Sequence, residues 1–268
     1  MSPVALVTGA SSGIGAATVS ALAARGFTVY GAARRTDRIA PPAIPITLDL
    51  TDTASIEAAV KTVLDEEGRI DVLVDNAGYG SYGAVEDVPL SEARRQFEVN
   101  LFGMARLIQL VLPTMRAQGS GRIINVSSIG GKFASAFGGW YHATKHAVEG
   151  LTDSLRQEVA PFGIQAVIIE PGAIDTEWGG IAMDTAIAAS ADGAYGDRVR
   201  KMAASLSDPR SVRMASKPTV VGEAIAKAAT VRSLKPRYAV GNGAKPLLAL
   251  RRLTSDRTMD AILKRVVG

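Results

Sequence analysis

The chain has 268 residues and no cysteine, which removes disulfides and thiolate metal centres from consideration. A hydrophobic fraction of 47% over this length supports one large core, so a single domain spanning 1–268 is expected. The net charge is +4, but residues 232–268 hold nine Lys and Arg against only Asp256 and Asp260, so the basic excess describes a tail and excludes a nucleic-acid groove.

Val4-Ala5-Leu6-Val7 reads as a short buried strand. It leads directly into a glycine turn, not a secretory leader. No apolar run approaches the ~20 residues of a membrane-spanning helix, so a cytoplasmic protein is expected. Thr8 to Gly15 turns the strand into an Ala-rich helix running to about Arg25. Gly9, Gly13 and Gly15, with Ser11, Ser12 and Ile14 between them, suit a backbone that must approach a ligand closely. The helix N-terminus behind them offers amide donors and a positive dipole end to a phosphate. Between a first strand and a helix, this pattern points to dinucleotide binding.

A second strand, Thr28–Ala33, ends in Arg34-Arg35. A unit selective for NAD places an acid near this point to hold the adenosine ribose; two arginines instead favour a 2′-phosphate, hence NADP(H) over NAD(H). Pro41–Pro45 is a stiff connection into a third strand, Ile46-Thr47-Leu48-Asp49-Leu50. Thr51 or Asp52 caps the next helix, which ends at Gly68. A fourth strand, Ile70–Val74, precedes Asp75-Asn76-Ala77-Gly78. Strand–helix alternation of this kind predicts an α/β fold: one doubly wound Rossmann domain, a parallel sheet of about seven strands with helices on both faces. Ligands in such sheets sit at the carboxyl ends of the strands, where Gly9, Arg34, Asp49, Asn76 and Ser128 fall.

A long amphipathic helix is expected from Ser91 to about Gln118, bent late by Pro113. Asn100 lies among its apolar positions, and a buried asparagine there implies an ordered water and a local kink. The run Arg122–Val126 delivers Ser128 at a strand end. A glycine-rich loop follows, then a helix from Tyr141 to about Pro161. Tyr141 and Lys145 project from one face, a turn apart. An ammonium beside a phenol in a dry pocket lowers the phenol's pKa toward a useful range, and Ser128 can hold a substrate oxygen. His142 and His146 have metal-compatible spacing, but with no third ligand motif no metal site is expected. After strand Gln165–Ile169, residues 177–218 lose their periodicity, and a mobile flap over the cleft is expected there. A helix at Thr219–Val231 and a strand near Tyr238–Val240 complete the sheet. In the tail, 244–268, Met259, Ile262, Leu263, Val266 and Val267 form one apolar stripe flanked by basic residues. Two roles fit it: a helix docked on the core or a partner subunit, or a basic amphipathic contact with an anionic membrane surface.

Taken together, these motifs resemble the short-chain dehydrogenase/reductase family over nearly the full length. Thr8–Gly15 is similar to its cofactor turn. Asp75–Gly78 is similar to its Asn-Asn-Ala-Gly segment, with Asp75 in place of the first Asn. Asn100, Ser128, Tyr141 and Lys145 match its catalytic tetrad in order and spacing, and Pro171-Gly172 with Ile174 and Thr176 its nicotinamide carboxamide segment. The resemblance implies hydride exchange between NADP(H) and a small-molecule carbonyl or alcohol, with Tyr141 as general acid/base. It gives Lys145 the nicotinamide ribose and the Tyr141 pKa, and Asn100 a water that relays protons. Asp49 and Leu50 would border the adenine, with Asn76, Ala77 and Gly78 along the dinucleotide. A homodimer or homotetramer through helices 91–118 and 141–161 is also implied. Lys235–Tyr238 and the Leu/Arg-rich end are similar to branches acting on steroids, retinoids and other lipophilic compounds, for which Phe133, Phe137, Trp140 and Trp178 would line an apolar pocket. The competing reading is a non-catalytic NADPH-sensing or scaffold protein on the same fold.

Overall fold

The structure, a computed structural model, describes residues 2–267, apart from the side chains of Ser211 and of residues 265–267. Seven parallel strands form one sheet in the order β3-β2-β1-β4-β5-β6-β7. They are β1 (Val4–Thr8), β2 (Thr28–Ala33), β3 (Ile44–Thr47), β4 (Val72–Asp75), β5 (Gly121–Val126), β6 (Ile164–Pro171) and β7 (Arg237–Val240). Between them run α1 (Gly13–Ala23), α2 (Thr53–Glu67), α3 (Leu90–Phe97), α4 (Gly103–Gln118) and α5 (Gly139–Val159). The second half adds α6 (Glu177–Ser190), α7 (Gly196–Ser207), α8 (Pro209–Met214), α9 (Pro218–Thr230), α10 (Ala244–Leu253) and α11 (Asp256–Val267).

Strand side chains alternate between faces, and each face has its own core. Leu6, Leu73 and Ile123 pack with α2, α4 and α5 on one side. Val7, Val74 and Ile124 pack with α1 and α9 on the other. Fully covered faces explain why the central strands read as continuous apolar runs. Strand order reverses at β1, which pairs with both β2 and β4, so the crevice opens beyond the ends of β1 and β4.

Several boundaries differ from those expected. β3 begins at Ile44 and ends at Thr47, taking in Pro45, because an edge strand tolerates a missing N–H. Asp49 leaves the sheet to accept from the Thr51 backbone and hydroxyl, and Asp52 caps α2 by accepting from Ala54 N–H. The long helix is interrupted: Glu98–Phe102 forms one π-helical turn between α3 and α4, centred on buried Asn100. α4 then continues through Pro113 to Gln118. The segment 177–218 is not irregular but forms α6, α7 and α8. Its alanines and methionines are good helix formers, and Ala182, Met183, Ala186, Val199 and Met202 are buried together. In the tail, α11 contacts α7, with Met259 buried and Ile262 and Leu263 half-buried. These members of the apolar stripe therefore pack on the protein; the Val266 and Val267 side chains lie outside the described residues. No helix among the described residues is long and apolar enough to cross a membrane.

Asp75 is the outlying element of the core. The parallel register sets it beside Asn125 on the same face, and both are buried. Both Asp75 carboxylate oxygens and Asn125 Oδ1 find no hydrogen-bond partner among the described residues. Burial holds the carboxyl well above its ordinary range. A carboxyl whose folded pKa is raised loses stability as pH climbs from its unfolded value toward its folded one. Asp75→Asn supplies a donor for Asn125 and removes that titration. It should stabilise the protein at pH 8 by roughly 1–3 kcal/mol, the scale of an unmade buried hydrogen bond. The gain should shrink toward pH 4. Thermal unfolding of both proteins across that range checks this, and a gain that grew in acid would contradict it.

Candidate active site

The glycine turn closes tightly on itself. Gly9 and Gly13 have φ of +69° and +53°, which favour glycine. A Cβ on Gly15 would stand 2.1 Å from the Gly9 carbonyl oxygen and 2.8 Å from Asn76 Nδ2. Thr8 and Asn76 lock β1 to β4 at this point. The Thr8 hydroxyl accepts from the Asn76 and Ala77 amides (3.0 and 2.9 Å), and Asn76 Nδ2 donates to the Thr8 carbonyl at 2.9 Å. Ser12 is the N-cap of α1, but its side chain makes no capping bond and the first turn carries no acid. The N-terminal amides of α1 thus remain available to an anionic ligand. Across the crevice, Gly13 faces the Thr176 side chain, with 3.2 Å to a Cβ built there.

The other expected cofactor residues border the same crevice to different degrees. Arg34 and Arg35 are exposed beyond β2. The Thr51 backbone and hydroxyl hold the Asp49 carboxyl below its ordinary pKa, with Arg34 assisting. Leu50 is turned into the core, where its carbonyl would stand 2.4 Å from a Cβ on Gly103, so its side chain is not aimed at the crevice. Gly78 separates Asn100 from Lys145: a Cβ there would meet Asn100 Oδ1 at 3.0 Å and Lys145 Nζ at 3.7 Å. Pro171 ends β6, Gly172 N–H donates to the Val240 carbonyl, and Ile174 bridges to Ser216. This frame is an anion-accepting turn with exposed Arg34 and Arg35 beyond β2, a constellation that fits a nicotinamide dinucleotide.

Asn100 is fully engaged within the protein. Its Oδ1 accepts from Tyr79 N–H at 3.0 Å, and its Nδ2 donates to the Tyr79 carbonyl (2.9 Å) and to Thr144 Oγ1 (3.2 Å). The asparagine therefore fixes the 76–79 turn against α5, from within the π turn. Ser128 Oγ accepts from Gly130 N–H at 3.0 Å. That bond occupies a lone pair, and on its other side the hydroxyl is hydrogen-bonded to the Tyr141 phenol, so the two oxygens face one another.

Tyr141 is buried beneath aromatic neighbours. Its ring centroid lies 4.9 Å from that of Trp178 and 5.8 Å from that of Tyr82, and Trp178 stands 5.8 Å from Tyr82. Lys145 is equally buried; its Nζ donates to the Val126 carbonyl at 2.9 Å and sits 5.9 Å from the Tyr141 ring centroid. The electrostatics differ from the expected acidic phenol. Burial pushes Tyr141 up to about 12, with only the Ser128 hydroxyl pulling the other way. Burial also pulls Lys145 down to about 8, partly opposed by Glu149. Desolvation penalises both charged forms, and it outweighs the attraction of an ammonium committed to a backbone carbonyl. In the protein alone Tyr141 is a neutral phenol, suited to giving a proton.

The expected apolar wall forms only in part. Phe137 and Trp178 join Tyr82, Tyr141, Met183 and Met202 in one cluster, whereas Phe133 and Trp140 stay outside it. Phe137 has φ +65°, a conformation costing a bulky residue about 1–3 kcal/mol, held by Gly83 N–H donating to its carbonyl and by ring packing on Tyr195. Tyr82 was not singled out in the sequence; a tyrosine in a loop gives no periodic signal. The two histidines bond within the chain: His142 through Gly130 and Ser135, and His146 Nδ1 through the His142 carbonyl.

Comparisons with known proteins agree with this geometry. The family described as short chain dehydrogenase matches residues 3–185. A short-chain dehydrogenase structure from Streptomyces avermitilis superposes with a TM-score of 0.80 at 36% identity, covering 99% of this chain and 97% of that one. A 3-ketodihydrosphingosine reductase from Bacteroides thetaiotaomicron is 40% identical over 171 residues, 64% of each chain. An NADPH-dependent 3-dehydrocapnine reductase from Ornithobacterium rhinotracheale is 38% identical over 189 residues, 65% of this chain and 67% of that protein. The seven-stranded parallel sheet, the glycine turn and the match over two thirds of the sequence lead to one conclusion: the chain belongs to the short-chain dehydrogenase/reductase family and is an oxidoreductase.

Proposed function

We propose that the protein is an NADP(H)-dependent carbonyl reductase for lipophilic ketones, with Tyr141 as the proton donor. The observation that carries this reading is the buried, neutral Tyr141 phenol, pushed up to about 12 and hydrogen-bonded to the Ser128 hydroxyl. Reduction needs a proton at the carbonyl oxygen, and a protonated phenol at neutral pH is in the state required. Ser128 donates a hydrogen bond to the same oxygen and stabilises the charge that develops there. The dinucleotide, when bound, supplies the hydride from C4 of its nicotinamide. Its phosphates would lie on the α1 amides, and a 2′-phosphate would meet Arg34 and Arg35, in a segment that lacks the acid used for an unphosphorylated ribose. Lys145, poised near neutrality, holds a proton that can replace the one Tyr141 gives up. Gly78 leaves room between Lys145 and Asn100 for such a relay.

The apolar cover of Trp178, Tyr82 and Phe137 favours a hydrophobic substrate. Relatives named 3-ketodihydrosphingosine reductase and NADPH-dependent 3-dehydrocapnine reductase support reduction as the direction. The helical segment α6–α8 is proposed as the cover that closes on it. Exposed Phe102 and Leu151 on the α4–α5 side suit a homodimer or homotetramer.

A panel of ketones tested with NADPH and NADH examines the whole reading. The highest kcat/KM is expected for a long-chain aliphatic ketone with NADPH. Converting Arg34 and Arg35 together to glutamate should erase the preference for NADPH, a change of at least tenfold for losing charge-assisted phosphate contacts. Turnover confined to small polar ketones, or equal rates with both cofactors, would contradict it.

A further inference from the structure

His142 follows the proposed proton donor directly, is buried, and takes no part in the chemistry described above. Its ring reaches the opposite segment at both nitrogens. Nδ1 lies 3.0 Å from the Gly130 carbonyl oxygen, and Nε2 lies 3.1 Å from the Ser135 amide nitrogen and 3.1 Å from its hydroxyl. A backbone N–H can only donate and a carbonyl can only accept. The two contacts together fix the tautomer: Nε2 carries the lone pair and Nδ1 the proton.

We infer that His142 is a positioning residue that sets Ser128 and the Phe137 wall in register with Tyr141, by clamping residues 130–138 onto α5. This rests on reading Ser128 and Tyr141 as the reacting pair. Gly130 is the link, because its N–H donates to Ser128 Oγ while its carbonyl accepts from His142. The ring is fitted between two glycines: a Cβ on Gly130 would stand 2.7 Å from Nδ1, and one on Gly138 would stand 2.7 Å from Nε2. At the far end, Gly138 accepts from the His142 backbone N–H at 2.8 Å, next to Phe137 in its left-handed conformation. Loops drift unless something holds them, and here one residue grips three parts of the segment, Gly130 and Ser135 through its ring and Gly138 through its backbone N–H.

Protonation would place a second donor against the Ser135 amide and break that arm. Burial disfavours this charge, and the nearby ionisable groups give it no support. Those facing the ring are Tyr82 from the 76–89 loop and Tyr141 and His146 from α5, none of them a carboxylate. The clamp therefore holds across the neutral range.

The chain has two histidines, and His146 is exposed, so nitrogen-15 histidine NMR of the intact protein reads His142 beside an internal control. His142 should stay neutral with its proton on Nδ1 through the neutral range and below the pH at which an ordinary histidine becomes charged, because burial disfavours its charged form. Titration of His142 near 6.5, or a proton on Nε2, would overturn the clamp whatever the enzyme's substrate proves to be. Kinetics supply the second readout. His142→Phe should lower kcat/KM for the ketone roughly ten- to a hundredfold, with dinucleotide affinity unchanged, as expected for losing two buried hydrogen bonds. His142→Gln, which restores an acceptor for Ser135, should recover part of that loss. Equal kcat/KM in His142→Phe and wild type would show that the ring only fills space.

Discussion

Tyr141→Phe should reduce the rate of ketone reduction by about a hundredfold to ten-thousandfold, the range for removing a general acid. The expectation is large because the structure separates the hydroxyl from the ring. The ring packs on Trp178 and Tyr82, and phenylalanine keeps those contacts. Removing the hydroxyl from a buried site takes away a polar group, so the melting temperature should move little or rise slightly. A fall in activity without a fall in stability assigns the loss to proton donation. Activity should also be flat with pH through the neutral range on the Tyr141 side, since the phenol stays protonated until far above it. NADPH consumption and thermal unfolding, measured on the same preparation, check both halves. Near-wild-type turnover in the variant would remove Tyr141 from the chemistry.

Gly15→Ala should be strongly damaging to dinucleotide binding. The new carbon would lie 2.1 Å from Gly9 O, 2.6 Å from Gly9 C and 2.8 Å from Asn76 Nδ2. The first two are backbone atoms, so no side-chain rotation can make room. Either the turn moves away from β4 or α1 shifts outward, and both carry the N-terminal amides away from the anion they are proposed to hold. Dinucleotide affinity measured by fluorescence titration should drop by more than tenfold, with a lowered melting temperature. Gly150→Ala is the control, since nothing lies within 4 Å of a Cβ there and the residue sits inside α5. That change should stabilise by roughly 0.5–1 kcal/mol through helix propensity alone. Wild-type affinity in Gly15→Ala would mean that the turn is looser than its contacts imply.

The sequence disclosed the scaffold more readily than the cover of the site. β1, α1 and β2 were legible because apolar strands, a glycine turn and an Ala-rich helix are local signals. Ser128, Tyr141 and Lys145 were legible as a spacing on one strand end and one helix face. The π turn around Asn100 was visible only as a polar residue out of place, since an i→i+5 bond pattern has no periodicity of its own over five residues. α6 was hidden because its alanines and glycines carry little amphipathic contrast. The packing of Trp178 on Tyr141 joins residues 37 positions apart and has no local trace. Electrostatics were the least legible of all. Lys145 in sequence promises an acidic tyrosine, whereas in the fold its ammonium is spent on the Val126 carbonyl and burial governs both groups.

Isotope tracing tests the central claim most directly. NADPH deuterated at C4 of the nicotinamide is given to the protein with a lipophilic ketone, and the alcohol is analysed by mass spectrometry and NMR. The account predicts deuterium on the carbinol carbon, on one face only, in wild type, and its near absence over the same time in Tyr141→Phe. Alcohol formed without the label, or labelled equally fast by both proteins, would contradict it.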